Sequence, residues 1–242
     1  MAQHDAQARL AVSTVIFALS PDPDDDGAVR PSLRIPLVRR LREPGLGRWA
    51  LPGGWLPVDE SLATAAARTL AETTGLSQRY LEQLYTFGEP DRSPGERVVS
   101  VVYWALVHSD EVERAVSDEN VQWFDEDALP DLAFDHREII DYALWRLRTK
   151  LQYSRIAHAL LGDTFTMAEL RGVHEAVLRR RLDPANFRRT MEASGTLVDT
   201  GRRLAGTPHR PPALYRFDTG AGPAASVPPT ITAPPALQRT NP

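Results

Sequence analysis

The sequence predicts a mixed α/β domain followed by a winged helix-turn-helix, and three observations support this fold class. Apolar, β-branched segments suited to strands occur with two helical patterns over residues 10–150, an order typical of a mixed sheet between helices. Two capped helices and a β-hairpin pattern occupy residues 151–218. Proline and alanine dominate residues 219–242 without an apolar period, which indicates a disordered tail. Residues 1–9 precede the first strand as a polar N-terminal arm.

The composition is that of a globular protein, since the 242 residues are 42% hydrophobic and 25% charged. Because there is no cysteine, disulfide frameworks, thiolate metal sites and cysteine nucleophiles are excluded. No run of about eighteen apolar residues occurs, and the first nine residues are too polar for a signal peptide. We therefore expect a soluble, cytoplasmic protein that does not associate with membranes.

Charge is divided unevenly along the chain, whose net charge is −4. Residues 1–150 hold 16 Lys or Arg against 25 Asp or Glu, whereas residues 151–218 hold 11 against 7. An acidic first part and a basic second part favour a small-molecule module joined to one that meets a polyanion. A solvated basic face would explain the same distribution equally well.

The first part begins with two strands. Residues 10–19 are apolar and β-branched and predict a buried strand, and the acidic residues 22–26 predict the loop after it. Residues 33–38 predict a second strand, which Pro36 makes an edge or bulged one. A helix is predicted at residues 62–74, where Gly75 ends it. Further strands are predicted at 84–87, 97–107 and 121–124, and a helix at 136–148.

The second part supplies the helices and the hairpin. A short helix is predicted at residues 153–161. Thr166 and Glu169 form a capping box in front of a helix at 167–179. Asp183 caps a further helix that begins at Pro184 and ends at Gly195. The hairpin is predicted at 196–198 and 213–217.

A motif at residues 51–76 carries the chemistry of the first part. Its members keep a fixed spacing from Leu51-Pro-Gly-Gly54 through Glu60 and Arg68 to Gly75-Leu76. This spacing resembles the Nudix box, Gly-x5-Glu-x7-Arg-Glu-U-x-Glu-Glu-x-Gly-U, in which U is aliphatic. Two of the three core glutamates of that box are replaced here, by Thr69 and Thr73, and only Glu72 remains.

The two substitutions bear directly on metal binding. Carboxylates at helical positions i, i+3 and i+4 share one face, where together they can hold divalent cations that clamp a diphosphate. Here that face carries Thr69, Glu72 and Thr73. One carboxylate with two neutral hydroxyls is a poor Mg²⁺ site, because Mg²⁺ dehydrates reluctantly. We therefore expect a box that keeps its fold but has no metal site and no catalytic residues, in a chain that is not an enzyme beyond a weak residual hydrolase activity.

The second helix of the predicted helix-turn-helix, which begins at Pro184, carries the candidate DNA contacts. In a helix-turn-helix the second helix enters the major groove, where Asn pairs with adenine and Arg with guanine. Phe187 should face the core. The candidate residues are Asn186, Arg188 and Arg189 on the helix, with Arg202, Arg203, His209 and Arg210 on the wing. Alternatively these arginines are merely solvated and the module binds protein. Arg179-Arg-Arg181 lies at a helix end, where cations favour the macrodipole regardless of function.

The combination of a Nudix-like box with Asn186-Phe-Arg-Arg189 and His209-Arg-Pro-Pro-Ala-Leu-Tyr-Arg216 resembles the Nudix-related transcriptional regulators of bacterial NAD metabolism, the NrtR family. The resemblance covers residues 10–218. It implies a homodimeric repressor that binds double-stranded DNA at promoters of NAD biosynthesis or salvage genes. It also implies that ADP-ribose, bound in the Nudix-like domain as effector, releases the DNA, and that no cofactor is required.

The same resemblance implies roles for the residues around the box. Gly53 and Gly54 would present backbone amides to the diphosphate, Glu60 and Arg68 would form a structural ion pair, and Glu72 would be a lone polar contact. Further ligand contacts are expected, by their position around the cleft, at Arg39, Arg40, Trp49 and Arg97. Each of these four is as well explained by a surface ion pair or a place in the core.

Phe134-Asp-His136 resembles a motif of relatives that handle ADP-ribose, although Asp135 precedes a helical pattern and is better explained as its N-cap. Two other functions remain open. The chain could be an ADP-ribose or nucleoside-diphosphate hydrolase with an unusual metal set. It could also be a pseudo-enzyme adaptor whose winged helix binds another protein.

Overall fold

The computed structural model describes residues 7–23, 29–107, 119–153, 156–205 and 211–218. The chain divides into two compact units. The first unit comprises residues 1–18 and 34–144, and the second comprises residues 19–33 and 145–242. In the described ranges no helix is long and apolar enough to cross a membrane.

A mixed sheet forms the centre of the first unit, as the sequence predicts. Its strands are β1 (Arg9–Pro23), β2 (Val29–Arg39), β3 (Trp49–Ala50), β4 (Gly53–Trp55), β5 (Tyr80–Phe87), β6 (Val98–Leu106) and β7 (Val121–Asp125). The strand order is β3-β2-β1-β6-β5, with β4 paired to β1 and β7 paired to β2. The β1 and β6 strands are parallel, whereas β4, β5, β3 and β7 pair antiparallel with their neighbours.

The strands agree with the predicted positions but several are longer. The β1 strand continues to Pro23, so residues 22 and 23 of the predicted loop belong to the strand, and the rest of that loop lies outside the described residues. The β5 strand starts at Tyr80 rather than at residue 84. Pro36 was predicted to make β2 an edge or bulged strand, and this is wrong: β2 lies between β1 and β3, and Pro36 pairs with Trp123 in a β2–β7 register without a shift. The short strands β3 and β4 were not predicted.

Helix α1 (Leu62–Thr74) carries the second half of the motif and packs on the sheet. Ser61 caps it by accepting a hydrogen bond from the Thr64 amide, and Gly75 ends it with a φ of 71°, a conformation that favours glycine. The buried face packs against strands β1 and β6 through Ala65, Ala66, Leu70, Val12 and Val101. Burying a side chain such as Leu70 contributes roughly 1.5–3 kcal/mol. This packing holds the motif helix at a fixed position beside β1.

Helix α2 (His136–Tyr153) is longer than predicted. Its residues up to 144 belong to the first unit and the rest to the second. The apolar stripe that begins at Ile139 continues through Leu147 to Leu151, all buried, so the helix does not stop at residue 148. The predicted helix at 153–161 is therefore wrong in its start and type: Tyr153 is the last residue of α2, and a short 3-10 helix covers Ile156–Leu160.

The second unit contains the winged helix-turn-helix. Its elements are β8 (Phe165–Thr166), α3 (Met167–Leu178), α4 (Pro184–Ala193), β9 (Leu197–Arg203) and β10 (Ala213–Phe217). The three strands form an antiparallel sheet in the order β8-β10-β9. The predicted capping box is present: Thr166 Oγ1 accepts from the Glu169 amide at 3.1 Å, and Glu169 Oε2 accepts from the Thr166 amide at 2.6 Å. Helix α4 ends at the C-cap Ser194, one residue before Gly195.

Candidate functional site

The glycine pair of the motif lies on β4, which pairs antiparallel with β1. A Cβ atom on Gly53 would lie 2.7 Å from the carbonyl oxygen of Val12 and 2.9 Å from Ser13 Oγ, which is closer than two such atoms can approach. A Cβ atom on Gly54 would meet nothing within 4 Å. The two glycines therefore have different structural tasks. Gly53 permits the close approach of two strands, and Gly54 leaves open space beside the backbone.

Arg68 joins the loop before α1 to the helix itself. Its guanidinium donates to Glu60 at 3.0 Å (Nε to Oε1) and 2.8 Å (Nη2 to Oε2), and Nη1 donates to Glu72 Oε2 at 3.0 Å. The hydrogen bonds from Arg68 lower the pKa of Glu60, and the bonds to Glu60 and Glu72 raise the pKa of Arg68. The ion pair expected between Glu60 and Arg68 is present, and Arg68 also pairs with Glu72.

The two threonines of the motif differ from Glu72 in exposure and in charge. Thr69 and Thr73 are buried, with 8% and 9% of their surface exposed, whereas the Glu72 side chain is 62% exposed and paired with Arg68. A Mg²⁺ ion requires several anionic or carbonyl oxygens in octahedral geometry. The carboxylate and the two hydroxyls here lie in different environments, so the residues present do not fit such an ion. Within the described ranges, no group of three or more His, Asp or Glu side chains is arranged to hold a metal.

Three of the expected ligand contacts lie together at the β2–β3 turn. Arg39 pairs with Trp49 across the two strands and donates to the Gly47 carbonyl at 3.3 Å. Arg40 Nε donates to the Pro44 carbonyl at 2.8 Å, and its guanidinium carbon lies 4.6 Å from the centre of the Phe134 ring. Burial lowers the pKa of Arg40. The Trp49 ring packs edge-on against Phe124, with 5.1 Å between centroids.

Arg97 lies in a different part of the unit, just before β6. Its Nη1 donates to the Glu89 carbonyl at 3.2 Å, and its own carbonyl accepts from the Arg9 amide at 2.8 Å. The Arg9 guanidinium lies 3.5 Å from the centre of the half-exposed Trp55 ring and pairs with Glu96 at 3.1 Å. Neither Arg9 nor Trp55 was predicted from the sequence. The only available signal was the place of Trp55 directly after the glycine pair.

A buried polar network, also missed, supports the turn into the motif. Arg92 forms two hydrogen bonds with Asp135, of 2.8 and 2.7 Å, and only 6% and 16% of the two side chains are exposed. His136 Nδ1 accepts a hydrogen bond from the Leu51 amide at 2.9 Å. Burial, together with the charges of Arg92 and Arg40, lowers the pKa of His136 to about 3, so its imidazole is neutral.

This network also changes the role of Asp135. The residue does precede α2, and its carbonyl accepts from the Ile139 amide at 3.1 Å, so its position is that of an N-cap. Its carboxylate, however, is occupied by Arg92 rather than serving the helix end as expected. Phe134 precedes it with a φ of 57°, a left-handed conformation that is uncommon outside glycine. The Phe134-Asp-His136 segment is therefore a constrained corner that joins α2 to the motif.

In the second unit, α4 presents a different contact on each face. The half-buried Phe187 ring packs against His174 on α3, with 5.1 Å between centroids, so Phe187 faces α3, although no residue of α4 is fully buried. Burial lowers the pKa of His174 to about 4. Arg188 donates to Glu192 Oε1 at 2.8 Å and to the Tyr215 hydroxyl at 3.0 Å. Arg189 donates to Asn186 Oδ1 at 2.6 Å, and both residues are exposed.

The wing carries two of the four expected basic residues within the described range. Arg202 and Arg203 are exposed at the end of β9, and Arg203 Nη1 donates to the Pro211 carbonyl at 3.1 Å. They follow Gly201, whose φ is 71°. His209 and Arg210 lie outside the described residues. The structure thus brings Asn186 and Arg189 together on one face of α4 and places Arg188 against the wing sheet.

The comparisons with known families match both parts of the chain. A model described as "NUDIX domain" matches residues 24–143, and a model described as "NrtR DNA-binding winged helix domain" matches residues 157–217. These matches agree with the mixed sheet and with the three-stranded wing module.

The most similar relatives include one transcriptional regulator and one hydrolase. The "ADPR responsive transcriptional repressor NtrR" of Acinetobacter baylyi is 37% identical over 191 residues, which is 76% of this chain and 76% of the relative. An "ADP-ribose pyrophosphatase" of Methanocaldococcus jannaschii is 35% identical over 129 residues, which is 53% of this chain and 76% of the relative. The second match is shorter and reaches only about half of this chain.

Among solved structures, the NrtR of Shewanella oneidensis is similar over both parts of the chain. It has a TM-score of 0.72 and 35% sequence identity, and the match covers 86% of this chain and 94% of that one. The same protein complexed with a 27mer DNA has a TM-score of 0.71 and 34% identity, with 86% and 93% covered. On the family models and on this similarity through both units, the chain belongs to the NrtR family of Nudix-related transcriptional regulators.

Proposed function

We propose that this chain is a DNA-binding transcriptional repressor of NAD biosynthesis or salvage genes, and that ADP-ribose bound to its Nudix-like unit releases it from DNA. One observation carries the proposal. A chain similar through three quarters of its length to an ADPR-responsive repressor presents a winged helix whose α4 exposes Asn186 and Arg189. These residue types make the paired hydrogen bonds that distinguish adenine and guanine in the major groove.

The first unit suits a receptor better than a hydrolase. The glycine strand, the Glu60–Arg68 pair and the packed helix α1 keep the shape of a diphosphate site. The helix lacks the set of three carboxylates that would hold Mg²⁺, because Thr69 and Thr73 are neutral and buried. The remaining carboxylate, that of Glu72, is paired with Arg68. A ligand that is bound and left intact can act as a reversible signal. The arginines and tryptophan at the β2–β3 turn and Arg97 are the proposed additional ligand contacts.

Release of DNA follows from differential binding. A ligand shifts an equilibrium only if it binds the DNA-free arrangement better than the DNA-bound one, and a change from 99:1 to 1:99 needs about 5.5 kcal/mol. A homodimer supplies a sensitive lever, because its two recognition helices must match half-sites about 34–36 Å apart. We propose a dimer for this reason. A bacterial repressor of this kind acts in the cytoplasm, where the promoter DNA is.

The test is a DNA-binding titration on the promoter region upstream of NAD genes, at one fixed salt concentration, with and without ADP-ribose. We expect tight binding to a palindromic segment and a loss of affinity when ADP-ribose is added. AMP with ribose 5-phosphate, the two halves of the ligand, serves as the control and should leave binding unchanged. Binding no tighter than to unrelated DNA would exclude the repressor function.

The hydrolase remains the second candidate because of the pyrophosphatase similarity at 35% identity. Incubation with ADP-ribose and Mg²⁺ or Mn²⁺, followed by measurement of AMP, separates the two. The repressor proposal expects no turnover above that of buffer. Turnover that is abolished in Glu72→Gln would instead show that the motif is active.

A further inference from the structure

The recognition helix α4 carries two adjacent arginines whose surroundings differ. Successive residues of an α-helix are about 100° apart, so Arg189 lies about 200° from Phe187, on the side opposite the core contact with His174. Arg188 lies between these two directions, on the side where Tyr215 is found. Adjacent residues of the same type therefore meet different neighbours.

Arg188 is engaged by the protein through both ends of its guanidinium. Nε donates to Glu192 one helical turn later, and Nη2 donates to the hydroxyl of Tyr215 on β10. The Tyr215 side chain is buried, and β10 is the central strand of the wing sheet, paired with β8 through Phe165 and with β9 through Asp199. The hydrogen bonds to Glu192 and Tyr215 also raise the pKa of Arg188.

The charge of the two arginines is also balanced differently. Arg188 and Glu192 together are close to neutral, so this pair adds little to the attraction of a phosphate backbone. Arg189 has an amide oxygen, that of Asn186, as its partner and keeps its full positive charge. Asn186 lies at the start of the helix, where its backbone amide donates to the carboxylate of the capping Asp183 at 2.8 Å. The Asn186–Arg189 pair therefore forms an exposed, preorganised donor surface.

We propose that Arg189, held by Asn186, is the residue of this pair of arginines that contacts DNA, and that Arg188 is a positioning residue that fixes α4 on the wing through Tyr215. This inference rests on the proposed DNA-binding function and assigns separate tasks within it. An arginine used for positioning depends on its planar geometry, which lysine does not supply. An arginine that only attracts phosphate could be replaced by lysine with little loss.

The experiment measures binding of the full chain to a promoter fragment and to unrelated DNA, between about 50 and 200 mM salt. The variants are Tyr215→Phe, Arg188→Lys, their double variant and Arg189→Gln, each checked for wild-type circular dichroism. We expect Tyr215→Phe and Arg188→Lys each to weaken promoter binding about fivefold or more, with a double variant no weaker than the weaker single one. We expect Arg189→Gln to reduce the steepness of the slope of log affinity against log salt concentration by about 0.9, or to reduce the ratio of promoter affinity to unrelated-DNA affinity about tenfold.

Two results would overturn the inference while leaving DNA binding intact. One is wild-type affinity in Tyr215→Phe, or additive losses in the double variant, because either result would mean that Arg188 does not act through Tyr215. The other is an Arg189→Gln variant with unchanged slope and unchanged specificity. A wild-type protein that binds the promoter no better than unrelated DNA overturns the proposed function itself, and this inference with it.

Discussion

The guanidinium of Arg92 meets the carboxylate of Asp135 through two hydrogen bonds of 2.8 and 2.7 Å, although 43 residues separate them in the chain. Both side chains are largely buried. Such a pair joins the loop before β6 to the start of α2. Since the backbone amide of Leu51 donates to His136, the same corner also supports the segment between β3 and the glycine pair.

Removing one partner of this pair should be costly. We expect Asp135→Asn or Arg92→Leu to lower the free energy of unfolding by about 3–5 kcal/mol, because each leaves a buried charge without its counterpart. Urea unfolding followed by circular dichroism measures the loss. The double variant Arg92→Leu/Asp135→Asn leaves no unpaired charge and should lose less than the sum of the two. Strictly additive losses would contradict a direct interaction.

The glycine pair offers a matched test of strand packing. Gly53→Ala would bring a Cβ atom to 2.7 Å from the Val12 carbonyl, whereas Gly54→Ala meets no atom within 4 Å. We expect Gly53→Ala to destabilise the protein by about 1–3 kcal/mol and Gly54→Ala to have a much smaller effect on stability. Thermal unfolding compares the two variants directly. Equal unfolding midpoints would mean that β4 moves away from β1 at little cost.

Stability should depend on pH through the buried histidine. The pKa of His136 is about 3 in the folded protein, against about 6.5 in an unfolded chain. The unfolded state therefore takes up more protons between these values. The contribution of His136 is complete above about pH 6.5 and is lost as the pH falls toward 3. His174, with a pKa of about 4, acts in the same direction.

We expect the free energy of unfolding to decrease from pH 7 to pH 4, and His136→Asn to flatten this decrease. Asparagine retains an acceptor for the Leu51 amide but does not titrate. Urea titrations at several pH values, carried out on both proteins, measure the difference in slope. Parallel curves would show that His136 is accessible to protons in the folded state.

Restoring the acidic residues of the motif should restore metal affinity. In Thr69→Glu/Thr73→Glu, the two new carboxylates occupy buried positions, so we expect a lower unfolding temperature than wild type without metal. Mn²⁺ should then raise the unfolding temperature of this variant, because a ligand that binds only the folded state stabilises it, by about 2.7 kcal/mol at a hundredfold excess over Kd. Wild type and Thr69→Ser/Thr73→Ser serve as controls and should not respond. A response in wild type equal to that in the variant would contradict the assignment.

Local patterns in the sequence predicted the main helices and strands well, whereas contacts between residues far apart in the sequence could not be predicted. The apolar run of β6, the capping box at Thr166 and the stop at Gly75 are local signals, and each element lies where it was predicted. The strands β3 and β8 have two residues each, too few for any period to show. The predicted helix ended at residue 148, too early, because the apolar stripe continues to the buried Leu151.

In the candidate site, too, local pairs and long-range contacts differ in how far the sequence predicts them. The resemblance to the Nudix box predicted the pair between Glu60 and Arg68, which is present. The pair between Arg68 and Glu72 was not predicted, although an arginine and a glutamate four residues apart on a helix are a local signal. Arg92 and Asp135 carry no periodic signal, because their contact is set by tertiary packing alone. Arg188 and Arg189 were treated alike, and only their neighbours, Tyr215 and Asn186, distinguish them.

Helix α2 runs without interruption through 18 residues, from the corner at His136 into the second unit. Each residue of an α-helix advances the chain by about 1.5 Å and turns it by about 100°. One inserted residue would therefore turn every later residue of the helix by more than a quarter of a circle, whereas seven would restore the phase to within about 20°. In related chains, the number of residues in this helix should consequently vary less freely than their identity.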